Sequence, residues 1–496
     1  MIENISIGLQ VILRPENVLF CFLGTLMGTL VGVLPGLGPV AALSILLPTT
    51  VHLDPVRAVI TLAGIYYGAM YGGSTTSILL NIPGEAASVV TCLDGYQMAK
   101  KGRAGPALGI SAFGSFIGGT IGIVLTILVA IPLIKIALKF GPPEYFSLMV
   151  IGMVLLTFLS GKSKMKSLIM AAFGLFLGTI GADPMVGVPR FTFKMYFLMD
   201  GLGLVPVAMG LFGISEIFIN IEGKFKQEVF ETNIKSLFPT LKDWRDSLMP
   251  IIRGSFIGFF LGILPGGGAL LASFSSYAIE KKLSKHPEMF GKGAIEGVAG
   301  PETANNAGAQ GNFVPLLTFA LPCNAVMALL LGAFLIHGLT PGPLLVKERP
   351  DLFWGLIMSM YLGNVMLLVL NLPLIGLWVK MLKIPYSLLF PIIVLFCLIG
   401  SFSIDNNVAH VIMMIVFGVL GYLMKKFEYD PAVLILALIL SRMMEGAFRR
   451  SLLVYQEGLF IFFQRPISLG FLLIAFLLLV YPVLRKKGRI SDGGAH

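Results

Sequence analysis

The chain has 496 residues, 56% of them hydrophobic and 12% charged, with a mean hydropathy of +0.89. A water-soluble fold has no means of hiding that much apolar surface, so a soluble enzyme or binding domain is excluded. The net charge of +10 would suit nucleic acid, but the basic residues stand in short clusters between apolar runs: Lys100, Lys101 and Arg103; Lys162, Lys164 and Lys166; Lys425 and Lys426; Arg485, Lys486 and Lys487. That spacing is the positive-inside pattern of a membrane protein.

Met1 to Glu16 lacks the basic start, short apolar core and small-residue cleavage site of a removed signal. Beyond it, Asp, Glu, Lys and Arg are absent from Asn17 to Val51, Ala58 to Gly84, Ala104 to Ile134 and Tyr145 to Gly161. The second half repeats the pattern over Leu352 to Val379, Ile384 to Ile404, Asn406 to Met424 and Pro466 to Leu484. With about 20 apolar residues needed per crossing, these runs predict about ten to twelve transmembrane helices. Backbone groups must be paired inside lipid, which leaves helices or a closed barrel, and continuous rather than alternating apolar runs select helices. The expected fold is an all-α polytopic membrane protein with broken or re-entrant segments. Cys21, Cys92, Cys323 and Cys397 have no paired spacing and read as small buried hydrophobes.

An internal repeat divides the chain. Gly24, Gly28, Gly32, Pro35, Gly36 and Gly38 recur in register as Gly254, Gly258, Gly262, Pro265, Gly266 and Gly268. Ile131-Pro132 likewise matches Leu372-Pro373, and Gly114 and Gly122 match Gly355 and Gly363. The expected domains are a first transmembrane repeat over 15–221, a polar cytoplasmic linker over 222–253, a second repeat over 254–464 and an extra C-terminal helix over 465–485. Counting crossings back from the basic clusters puts Lys135 and Lys139 on the opposite face from their equivalents Lys380 and Lys383, which predicts two inverted-topology repeats.

Transporters built this way place their site at matching helix interruptions near mid-membrane. The first pair of interruptions is Pro35-Gly36-Leu37-Gly38-Pro39 against Pro265-Gly266-Gly267-Gly268. Proline removes an amide donor there, glycine lets the chain turn, and the freed amides of the next helix start suit an anion. The same glycines also suit close helix packing.

The second pair runs from Ser74-Thr75-Thr76-Ser77 into Asn81-Ile82-Pro83-Gly84-Glu85, and from Gln310-Gly311-Asn312 into Pro322-Cys323-Asn324. Hydroxyls in a charge-free stretch offer donors to a carboxylate without burying a cation, although Ser and Thr also bond back to their own helix carbonyls. Glu85 reads either as a loop charge or as a coupling group. The segment Gly300-Pro301-Glu302-Thr303-Ala304-Asn305-Asn306 packs one carboxylate among amides, with Gln310 close behind. Such oxygens suit a sodium ion and the amide donors suit an organic acid, while Glu302 beside Pro301 also fits a helix N-terminal acid.

The expected substrate-binding residues are Pro35, Gly36, Gly38, Ser74, Thr75, Thr76, Asn81, Gly266, Gly267, Gly268, Asn305 and Asn306. The expected cation-binding residues are Glu302, Thr303, Asn312 and Asn324. These motifs contain no lysine or arginine, so an anion here is expected to rely on helix ends, bound cations and neutral donors.

Four of these motifs, Gly32-Val-Leu-Pro-Gly-Leu-Gly-Pro39, Asn81-Ile-Pro-Gly-Glu85, Gly262-Ile-Leu-Pro-Gly-Gly268 and Gly300-Pro-Glu-Thr-Ala-Asn-Asn306, resemble the large membrane subunit of the tripartite tricarboxylate transporters, the TctA family. The resemblance covers nearly the whole chain. It implies ion-coupled secondary uptake of di- or tricarboxylates such as citrate across the bacterial inner membrane. It also implies two partners, a small membrane subunit and a periplasmic carboxylate-binding protein, with sodium or a proton as coupling ion and no other cofactor.

Three rival classes remain. An enzyme or a primary pump is disfavoured by the lack of a His-Glu-x-x-His or phosphate-loop motif. A passive anion channel shares the broken, glycine-rich helices. A non-transporting scaffold does not account for polar residues inside apolar runs.

Overall fold

The computed structural model describes residues 2–34, 36–159, 163–222, 237–266, 268–382, 384 and 386–491. Their secondary structure is helical except for one short antiparallel pair, in which Gly181 stands opposite Arg190 and Ala182 opposite Pro189.

Six helices among the described residues are long and apolar enough to cross a bilayer: Pro15–Gly32, Ala104–Ala137, Leu204–Glu222, Pro350–Asn371, Val408–Lys426 and Pro431–Val454. A seventh arises if Gly458–Gln464 and Pro466–Val480, bent by 88°, form one span. This is fewer than the apolar runs predicted, because glycine and proline break several of them. The run from Asn17 to Val51 divides into Pro15–Gly32 and Gly38–Leu46, and other runs give the short helices Pro142–Phe158, Ala325–Ile336 and Leu388–Ser403.

Of the expected linker, residues 223–236 lie outside the described residues. Its later part is helix: Leu241–Gly262 starts at a capping box, with the Thr240 hydroxyl and the Asp243 carboxylate each accepting the other's backbone N–H.

Two helix pairs form the centre, and glycine sets both. In the first, Gly24, Gly28 and Gly32 press on the main chain of Thr61, Ile65 and Ala69, while Gly64, Gly68 and Gly72 of Pro55–Leu80 press back on Pro15–Gly32. A Cβ at Gly28 or Gly32 would collide with a carbonyl oxygen. In the second, Gly254, Gly258 and Gly262 meet the main chain of Gly300, Ala304 and Gly308 in Glu296–Gly311. Hydrophobic surface drives little association within lipid, so small residues that let backbones touch are what join helices there.

The result is two helices buried along most of their length, Pro55–Leu80 and Glu296–Gly311, although both are rich in Gly, the first also in Ser and Thr and the second carrying Asn305, Asn306 and Gln310. Apolar side chains instead cover the outside, among them Leu395, Ile399, Ile412, Val416, Phe476 and Leu477, as a lipid-facing surface requires.

Candidate functional site

Both Pro-Gly breaks border one cavity of about 530 Å³. Gly36 and Gly38, with φ of 84° and 53°, turn the chain between Pro15–Gly32 and Gly38–Leu46. Gly266 and Gly268, with φ of 91° and 37°, do the same between Leu241–Gly262 and Gly268–Leu283. These positive angles are open to glycine and costly for other residues, which explains why glycine stands there. Pro35 and Gly267 lie outside the described residues.

The second pair of interruptions reaches the same cavity and is also matched. Asn81 ends Pro55–Leu80 at φ 57°, and Ala320 ends Phe313–Phe319 at φ 56°. Four residues later, Glu85 (φ −147°, ψ 167°) and Asn324 (φ −153°, ψ 176°) are extended and begin the next helical segments. Glu85 and Asn324 both line the cavity, as do Pro83, Gly84 and Tyr66.

Around the second break, Asn324 Oδ1 accepts the Met327 backbone N–H at 2.9 Å, and the Gly266 N–H donates to the Cys323 carbonyl at 2.8 Å. Asn312 donates to the Tyr66 hydroxyl at 3.0 Å. A Cβ placed on Gly268 would stand 3.1 Å from Asn312 Oδ1, an oxygen that is buried without a hydrogen-bond partner among the described residues.

Deeper in the protein lies a second polar cluster, centred on Glu302. Its carboxylate accepts hydrogen bonds from Ser74 at 2.5 Å, Ser111 at 3.0 Å and Thr91. These hydroxyls come from three different helices, Pro55–Leu80, Ala104–Ala137 and Val89–Lys100. Glu302 is therefore not an exposed helix-end acid: it is fully buried and its position is fixed by neutral donors. Asn306 donates to the Ser115 hydroxyl at 2.7 Å and to the Glu302 carbonyl at 3.1 Å. Asn305 donates to Glu85 Oε1 at 2.5 Å and joins this cluster to the cavity. Asn305 Oδ1 and Gln310 Oε1 are buried with no hydrogen-bond partner among the described residues.

The structure thus sorts the expected site residues into groups. Gly36, Gly38, Gly266, Gly268 and Asn324 line the cavity, and Asn312 stands behind it. Ser74, Glu302, Asn305 and Asn306 form the buried cluster. Thr75 borders a separate small space with Tyr71 and Ser111. Thr76 bonds back to the Gly73 carbonyl and Thr303 to the Ala299 carbonyl, the local alternative open to any helical hydroxyl. Asn81 is exposed and serves as the left-handed end of its helix.

Sequence reasoning missed one group altogether. Lys425, Glu216 and Asp430 also line the cavity, and Lys425 is ion-paired with Glu216. No basic residue lies in the broken segments, and Val408–Lys426 brings one to the cavity from elsewhere in the chain. Its adjacency to Lys426 made it look like an ordinary loop marker.

Residues 18–436 match the model of the Tripartite tricarboxylate transporter TctA family. An Agrobacterium vitis protein described as "Uncharacterized 52.8 kDa protein in TAR-I ttuC' 3'region" is 50% identical over 490 residues, covering 98% of each chain. A second protein of that organism, "Uncharacterized protein in TAR-II ttuC' 3'region", is 52% identical over 233 residues, which are 46% of this chain and 96% of its own. No solved structure matches the chain. The chain belongs to the tripartite tricarboxylate transporter TctA family: it is a multi-pass protein of the bacterial inner membrane and the large membrane component of such a transporter, not an enzyme.

Proposed function

We propose that this protein carries di- or tricarboxylates inward by ion-coupled secondary transport, and that the cavity between the two Pro-Gly breaks is where the anion binds. The observation that carries the reading is the convergence of Gly36, Gly38, Gly266 and Gly268 on a single cavity, although 230 residues separate the paired positions. Helix starts at Gly38 and Gly268 turn backbone amides toward an anion, and helix dipoles favour negative charge there.

The matched angles at Gly36 and Gly266, Asn81 and Ala320, and Glu85 and Asn324 support an internal repeat, and the spacing of the basic clusters supports its inverted topology. Alternating access then follows from movement of one unit against the other around a fixed site.

In this reading sodium is the coupling ion. Of the four residues expected to hold it, Asn312 fits best, because its buried Oδ1 has no hydrogen-bond partner among the described residues and lies beside the second break. Glu302 already has three donors, and Thr303 is bonded to its own helix. A small membrane subunit and a periplasmic carboxylate-binding protein complete the transporter, and the latter delivers the substrate.

Counterflow of labelled citrate in proteoliposomes containing all three subunits tests this. A carrier gives saturable, sodium-dependent exchange. Flux that rises linearly with citrate and shows no counterflow means a passive pore, and exchange driven by a proton gradient without sodium replaces the coupling ion.

A further inference from the structure

Among the described residues lining the cavity, Lys425 is the one lysine or arginine, against three carboxylates, Glu85, Glu216 and Asp430. Hydrogen bonds from neutral groups do not cancel a carboxylate's charge, so an anion enters such a cavity only by pairing with Lys425. Glu85 accepts from Asn305, and Asp430 accepts the Ala432 N–H at 2.9 Å as the cap of Pro431–Val454, so both acids are directed to partners other than Lys425. Glu216 is occupied by Lys425.

The pair also stands at the first break, where a Cβ on Gly36 would be 3.4 Å from Glu216 Oε1. Glu216 stands two residues past a π-helical segment, Met209–Ile214, a widened turn of the kind that recurs at functional positions.

The pair is not needed to hold its two helices together. Gly210 presses on the main chain of Met414 and Gly418, and Gly421 on that of Leu211. One position further along, Lys426 bridges to Glu222 at 2.9 Å, and the Tyr422 hydroxyl donates to Glu222 at 2.7 Å. Close backbone packing along Met209–Ile214 and a second ion pair at Glu222 already join Leu204–Glu222 to Val408–Lys426.

Resting on the transport reading above, we infer that Lys425 is a substrate-binding residue that a carboxylate of the transported anion engages by displacing Glu216. The exchange replaces one charge-assisted hydrogen bond with another of the same kind. Glu216 is thus an internal competitor that occupies the cation when the site is empty. It keeps Lys425 from standing uncompensated at a partly buried position, a state that is costly without a partner.

The two members of the pair therefore have opposite effects on affinity, which a structural ion pair does not produce. The test measures half-saturating citrate and succinate for counterflow in proteoliposomes, with both partner subunits at fixed amounts. Lys425→Gln is expected to raise the half-saturating concentration on the order of tenfold, and Glu216→Gln to lower it several-fold. Lys425→Arg retains the charge and is expected to stay near the wild-type value.

If Lys425→Gln does not reach the membrane, Glu216→Gln alone decides, since only displacement predicts tighter binding. An unchanged or raised half-saturation in Glu216→Gln overturns the inference while wild-type exchange continues. A wild-type complex that exchanges no carboxylate overturns the transport reading and this inference with it.

Discussion

Asn305 donates its side-chain amide to Glu85 Oε1 at 2.5 Å, so a carboxylate on the cavity wall is held by a helix that is itself no part of the described wall. Asn306, the next residue, holds Ser115 and the Glu302 carbonyl. Leucine at either position removes these donors while keeping a buried, helix-compatible side chain. Asn305→Leu and Asn306→Leu are each expected to abolish carboxylate uptake in membranes with normal protein levels. Unchanged uptake in both variants would remove these residues from the site.

Glu302 is where three hydroxyls end their hydrogen bonds. Glu302→Leu leaves buried donors without an acceptor, at roughly 1–3 kcal/mol for each group that finds no other partner. Glu302→Gln keeps one carbonyl acceptor and the side-chain size. The expected order of melting temperature for the purified protein is wild type, then Gln, then Leu, with several degrees between the ends. A Leu variant as stable as wild type would contradict the cluster's structural role.

Outside the membrane-spanning segments, Asp183 anchors the strand pair between Lys164–Gly178 and Leu204–Ala208. The Met185 N–H at 2.8 Å holds its carboxyl below the usual aspartate range, helped by the Val186 N–H and the Arg449 guanidinium. A depressed pKa stabilises the folded form above the unfolded value of about 3.9, and that contribution disappears as pH falls through the folded value. Amide exchange over 181–190 is therefore expected to stay slow from neutral pH to about 5 and to quicken on further acidification, after correction for intrinsic exchange. Asp183→Asn is expected to exchange faster at neutral pH and to lose that acid-induced step.

The sequence carried the helical class and the positions of both breaks, because these depend on local chemistry. Charge-free runs demand helices in lipid, and glycine or proline marks where a helix stops or turns, as at Gly36 and Gly266. The matching of Asn81 with Ala320 was also legible through Pro83 and Pro322, although the residue types differ, since backbone angle and not side chain is what the two share.

Long-range assembly was not legible. The hydroxyls on Glu302 come from three helices, and nothing near Thr91 or Ser111 marks them as its partners. The reciprocal glycines Gly64, Gly68 and Gly72 repeat the spacing of Gly24, Gly28 and Gly32 and were available as a signal for that helix pair. Lys425 was legible only as part of a basic cluster, because adjacency to Lys426 says nothing about which of two neighbouring lysines borders the cavity. A length rule applied to apolar runs also ignores the breaks within them, which is why six or seven long spans stand among the described residues beside several shorter apolar helices.

The central claim, that an anion occupies the space between the two breaks, is tested most directly by thiol labelling within the cavity. Val40 and Leu270 line it, one beside each break, and the native cysteines Cys21, Cys92, Cys323 and Cys397 are all buried. Val40→Cys and Leu270→Cys, each in the full three-subunit transporter, are reacted with a water-soluble methanethiosulfonate with and without saturating carboxylate. The account predicts that a transported acid slows labelling at both positions while a non-transported sugar does not. Equal labelling rates with and without an acid that the same preparation transports would contradict it.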